Sequence, residues 1–95
     1  MQFAKAIGNA VATRKTGGMD GLHLIVVRFL DHSLGPTPRT AVAVDTVGSR
    51  PDDVVLVCGS SSARMTSKTR NACADLAIIG IVDVVSRDRK DVYSR

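Results

Sequence analysis

All nine acidic residues of this chain are Asp, Glu is absent, and Gln occurs once. The straight-chain polar residues that cover exposed helix faces are therefore scarce. Val, Ile and Thr together make 25 of the 95 residues, and these β-branched side chains suit a pleated sheet. The chain is thus expected to fold as β-structure. Its length allows one domain, since a second core needs about 50 more residues. A chain of this size buries only roughly 60–65% of the surface its unfolded form exposes, which makes self-association a natural route to stability.

Turn residues divide the chain into strand-length pieces. Residues 3–13 alternate around Gly8 and read as a bent or bulged strand. Residues 16–21 carry three glycines and read as a turn. Residues 22–30 are so apolar that burial on both faces is expected. Ser33, Gly35, Pro36 and Pro38 mark residues 31–38 as a loop. Residues 40–46 alternate again, with Val42 and Val44 opposed to Ala41, Ala43 and Asp45. Residues 48–53 form the next turn, 54–58 the next strand, and 60–67 one short helix behind a Ser cap. Residues 77–86 read as a long last strand with Gly80 at a bend. Five strands at short spacing and one short helix predict a small OB-like antiparallel β-barrel, a sheet closed on itself to remove its edges.

Composition narrows the function classes. The shares of hydrophobic (44%) and charged (23%) residues exclude wholesale disorder. The apolar runs at 24–27 and 76–82 are too short to span a bilayer, and no leader pattern opens the chain, so a cytosolic protein with no membrane partner is expected. Cys58 and Cys73 form no C-x-x-C pair, and His23 and His32 share no ligand spacing with them, so no metal site is expected. Cys58 ends an apolar run and suits core packing. His23 reads as a strand-surface residue and His32 as a loop residue. Nucleophile-elbow, P-loop and zinc-protease motifs are missing from the sequence. No catalytic residue, cofactor or enzymatic activity is expected.

The net charge is +4 and the pI about 9.6. Residues 86–95 hold four basic and two acidic side chains, half of the excess. That tail reads either as a basic arm or as a solvated, frayed end, and no run of like charge exceeds two residues. An OB-type nucleic-acid-binding module is the alternative function. Single-strand binders of that kind stack bases on aromatic side chains, however, and Phe3, Phe29 and Tyr93 are the only aromatics. Phe3 and Phe29 lie in apolar strand patterns and are expected in the core.

Gly59, Ser60, Ser61, Ser62 and Arg64 form the loop with the most polar chemistry. Its hydroxyls, free amides and guanidinium suit an anion. The plainer alternative is a helix cap with Arg64 paired to a carboxylate such as Asp45, Asp75 or Asp83.

Five segments, in order, resemble a known family. They are Ile7-Gly8-Asn9-Ala10-Val11-Ala12-Thr13-Arg14-Lys15, Met19-Asp20-Gly21-Leu22-His23-Leu24-Ile25-Val26-Val27, Val42-Ala43-Val44-Asp45-Thr46-Val47-Gly48, Ser61-Ser62-Ala63-Arg64, and Asp75-Leu76-Ala77-Ile78-Ile79-Gly80-Ile81-Val82-Asp83. Together they are similar to the bacterial microcompartment vertex proteins of the EutN/CcmL type. The resemblance covers residues 1–86 as the vertex domain and leaves residues 87–95 as a basic C-terminal tail. Two departures stand out. Ser49-Arg50-Pro51-Asp52-Asp53 replaces a glycine-rich turn ending in Glu, which implies a stiffer path, and Ser60 stands where a glycine is usual.

The resemblance implies a structural shell protein rather than an enzyme. It implies a homopentamer that caps the vertices of a microcompartment within the cytoplasm, with hexameric shell proteins as neighbours. A five-fold ring needs a heterologous interface, and the 59–64 loop is its candidate contributor, either at the subunit interface or lining the axial pore.

Overall fold

The computed structural model describes residues 1–11, 22–59 and 75–95, which form seven strands. These are β1 (Gln2–Ala10), β2 (His23–Leu30), β3 (Pro36–Asp45), β4 (Val54–Gly59), β5 (Leu76–Ile81), β6 (Val84–Arg87) and β7 (Lys90–Ser94). Five close into a barrel in the order β1-β2-β3-β5-β4, and β6 and β7 pair as a separate hairpin. The barrel is antiparallel except at one seam, where β3 and β5 run parallel with Val44 opposite Ala77 and Asp45 opposite Ile78. Thr46 reinforces that short seam. Its backbone N–H and its hydroxyl both donate to the Ile78 carbonyl, at 3.4 and 2.6 Å. The expected short helix at 60–67 and the turn at 16–21 lie outside the described residues.

Side-chain size makes the closure possible. β2 sends Ile25, Val27 and Phe29 into the barrel, while its neighbours β1 and β3 send Ala4, Ala6, Ala41 and Ala43. The register sets large against small: Phe29 is opposite Ala4, Val27 is between Ala6 and Ala41, and Ile25 is opposite Ala43. Val55, Val57 and Ile78 fill the interior from β4 and β5. A five-stranded barrel has little interior room, so bulk on every strand would not fit.

Several expectations change in the folded chain. β2 is not buried on both faces; Leu24, Val26, Arg28 and Leu30 point outward and are half-buried. A barrel has one interior, and only alternate residues reach it. Phe29 is core, but Phe3 is not, because Ala4 and Ala6 take the inward positions and leave Phe3 outside. The Gly8 bend is a bulge: the register passes from Ala6–Val27 to Gly8–Val26, and Ile7 is the extra residue. Residues 36–38 belong to β3 rather than to a loop, with Pro36 first in the strand, a position where a missing N–H is tolerated.

The long last strand is two strands. β5 stops at Ile81, the Val82 N–H donates to the Val54 carbonyl at 2.8 Å, and the chain turns at Asp83 into β6. The tail, read as either a basic arm or a frayed end, pairs back as β7. Asp88 and Arg89 sit at φ 55° and 64° between Arg87 and Lys90. Two successive positive φ values give the type I′ turn that matches strand twist.

Ile78 is fully buried, so Ile78→Ala is expected to cost about 2–5 kcal/mol by opening a cavity. Val11→Ala, at an exposed site, is expected to change stability by less than about 0.5 kcal/mol. Denaturant unfolding followed by circular dichroism measures both.

Candidate assembly surfaces

The Val-Asp-x-Val-Gly segment is organised by one buried carboxylate. Asp45 Oδ1 accepts from the N–H groups of Val47 and Gly48, each at 3.1 Å. Its Oδ2 accepts from the Ser49 N–H at 2.8 Å and the Ser49 hydroxyl at 3.1 Å. Gly48 holds φ at 74°, a left-handed conformation that favours glycine. The short Asp side chain thus wraps the backbone that leaves β3, as turn-forming Asp does.

The next turn replaces glycines by a different device. The Asp53 N–H donates to the Arg50 carbonyl at 3.1 Å, Pro51 takes the second position, and Asp52 takes φ 70° at the third. This is the pattern of a type II turn, with Asp in place of the usual Gly. Asp53 Oδ2 accepts from the Arg50 N–H at 2.8 Å. The turn also extends β1, since the Ala6 N–H donates to Asp53 and the Ala6 carbonyl accepts from Asp52, at 2.9 and 2.8 Å.

Asp53 has a second task. Its Oδ1 lies 3.3 Å from Arg95 Nη2, while Arg95 Nη1 lies 3.6 Å from Asp83 Oδ1. The Arg95 N–H donates to the Asp83 carbonyl at 2.7 Å. Arg95 therefore ties the hairpin base to the β3–β4 turn. At the other end Arg87 Nη1 donates to the His32 carbonyl and the Ser33 hydroxyl, at 3.5 and 3.3 Å.

Of the sequence-derived candidates, Gly59 closes β4 opposite Leu76, where an added Cβ would meet the Asp75 carbonyl at 3.4 Å. Ser60, Ser61, Ser62 and Arg64 lie outside the described residues, as does Cys73. Two carboxylates offered as partners for Arg64 have other partners: Asp45 binds its turn and Asp83 faces Arg95. Cys58 is buried against Ala77 and Ile79. His23 and His32 are exposed, one on a strand and one in a turn.

The outer barrel surface carries two unlike flanks, and sequence reasoning missed both. On the β1–β4 side, Phe3 and Leu56 line an open groove of about 670 Å³ together with residues 81–86, of which Asp83 and Ser86 are polar. On the β2–β3 side, Val26 is opposite Val42, and one step along Arg28 faces both Thr40 and Lys5. Lys5 and Arg28 are like charges placed directly across two strands. The signal for these faces was the outward parity of each strand, which is readable only once the inward set is known.

Residues 1–83 match the family described as ethanolamine utilisation protein EutN/carboxysome. The chain is 40% identical over 85 residues to the microcompartment shell vertex protein GrpN of Rhodospirillum rubrum, covering 90% of this chain and 96% of GrpN. It is 36% identical to the carboxysome shell vertex protein CcmL of Synechocystis, covering 100% of this chain and 95% of CcmL. The solved CcmL of Gloeobacter violaceus superposes with a TM-score of 0.96 at 33% identity, over 100% of this chain and 98% of that one. The solved pentameric GrpN superposes with a TM-score of 0.84 at 39% identity, over 92% and 99%.

Removing the Asp45 carboxylate leaves three turn amides without an acceptor. Asp45→Ala is expected to cost about 1–3 kcal/mol, read as a lowered unfolding midpoint.

Proposed function

We propose that this chain, which belongs to the EutN/CcmL family of microcompartment proteins, assembles as a homopentamer at the vertices of a bacterial microcompartment shell in the cytoplasm. The observation that carries this reading is the end-to-end match to shell vertex proteins, one of them solved as a pentamer. The role is structural. The molecule would contribute curvature rather than chemistry, because flat hexagonal tiling cannot close without five-fold units. Hexameric shell proteins are the neighbours such a vertex requires. Residues 1–86 would be the vertex domain, with residues 87–95 completing its hairpin. The 59–64 loop, with Arg64, is proposed to sit at the subunit interface or the ring axis.

Ring assembly also answers the small size of the chain, since each interface removes apolar surface from water. The alternative nucleic-acid module has little to stand on. Phe29 is inside the barrel, stacked beneath the Arg39 guanidinium at 4.6 Å, and Tyr93 is half-buried. No row of exposed aromatic platforms exists among the described residues.

Native mass spectrometry is expected to give a species of five subunits with little free chain. A clean monomer at micromolar concentration overturns the vertex reading. Binding to single-stranded DNA is expected to be weak and lost as salt rises, because charge without stacking is screened. A titration that retains submicromolar affinity at physiological ionic strength would favour the alternative.

A further inference from the structure

We infer that the β6–β7 hairpin is a strap that opens from its own barrel as a separate unit. It is hinged at Asp83, latched by Arg95 at its base and by Arg87 towards its tip, and its opening bares Phe3 and Leu56. The inference concerns the single chain and does not rest on the ring proposed above.

Burial stops at the hinge. Val82 is the last buried residue of the chain, and its N–H is bonded to the Val54 carbonyl. From Asp83 onward every residue is exposed except Val85 and Tyr93, which are half-buried and lie opposite each other within the hairpin. Among the described residues, neither is one of the hydrophobic side chains packed in or against the barrel core. The hairpin is a sheet separate from the barrel, and its base closes on itself where the Arg95 N–H meets the Asp83 carbonyl. Backbone bonds therefore hold the hairpin together without joining it to the barrel ladder. A two-stranded hairpin is marginal by itself, so its ties to the barrel decide how firmly it stays down.

Those ties are two arginines. At the base, Arg95 sits between the buried Asp53, on the barrel side, and Asp83, whose side chain is 77% exposed. The second oxygen of Asp53 is taken by the Arg50 N–H, which leaves Arg95 as the counter-charge of that carboxylate. Towards the tip, Arg87 donates to the His32 carbonyl and the Ser33 hydroxyl at 3.5 and 3.3 Å, both in exposed surroundings and both longer than a strong hydrogen bond. Segments with few buried apolar contacts lie at the low end of local stability and open without unfolding of the whole.

The barrel can outlast that opening. Its five strands close without the hairpin, and every buried residue precedes Asp83. Phe3 and Leu56 are opposite each other on β1 and β4, both half-buried. β6 supplies part of the wall of the groove they line, so lifting the hairpin exposes this apolar pair.

Hydrogen exchange of the full chain, read by mass spectrometry, is expected to show residues 84–94 exchanging at least roughly a hundredfold faster than residues 25–29 and 54–58. Arg87→Gln is expected to speed hairpin exchange about two- to fivefold and to leave the barrel unchanged. Arg95→Gln should speed it more than Arg95→Lys, which keeps a cation beside Asp53. Tyr93 is the one Tyr and Trp is absent, so tyrosine emission reports the hairpin. In urea its transition is expected at lower concentration than the far-ultraviolet circular dichroism transition of the barrel. Exchange of hairpin and barrel at one rate, or coincidence of the two urea transitions, overturns the strap. Separate opening that neither Arg87→Gln nor Arg95→Gln accelerates overturns the latches. Native mass spectrometry of the same samples keeps the two proposals apart: a pentamer whose hairpin is as protected as its barrel overturns the strap and leaves the ring reading standing.

Discussion

Room inside the barrel is the constraint on which the rest of the structure depends. Five strands enclose so little space that Ile25, Val27 and Phe29 can enter from β2 only because alanines face them from β1 and β3. That division of size sets the register, since a slip of one residue would drive Phe3, Lys5 and Arg28 inward. It also decides which residues are left outside. Phe3, Val26, Val42 and the Lys5–Arg28 pair are surface features because the inward positions are taken.

The exclusive use of Asp among the acidic residues has a structural counterpart. Asp31, Asp45 and Asp53 each accept backbone N–H bonds from residues two to four positions away or three positions back. A carboxylate on one methylene reaches its own turn; the longer Glu side chain carries its carboxylate past it. The β2–β3 and β3–β4 connections are therefore stiffened by local carboxylates, and the described strands are held by backbone ladders.

The hairpin is the least self-sufficient part of the fold. Its base is held by Arg95 between Asp53 and Asp83, and its tip side by Arg87 at the β2–β3 turn. Apart from the buried Asp53 carboxylate, these are charged, solvent-accessible groups, and such contacts orient an element better than they stabilise it.

Much of the architecture was legible in residue order alone: the β bias in the β-branched count, the bulge in Gly8, the turns in Gly48 and in the Pro51 segment, and the family in five motifs. Sequence could not show that β2 has one buried face, because Leu24, Val26 and Leu30 are as apolar as the residues that enter the core. Nor did it show the tail hairpin, since Asp88-Arg89 lacks the glycine that advertises a tight turn, and its positive φ values are imposed by strand pairing. The candidate loop at 59–64 was legible as chemistry, of which the folded chain describes only Gly59. Local preference and periodicity are properties of neighbours in sequence, so the sequence by itself determined the cores of the five barrel strands, the 48–53 turn and the kinship. Which side of each strand faces in, which seam runs parallel and which cations meet across strands depend on closure of the whole barrel, and only the tertiary structure decided them.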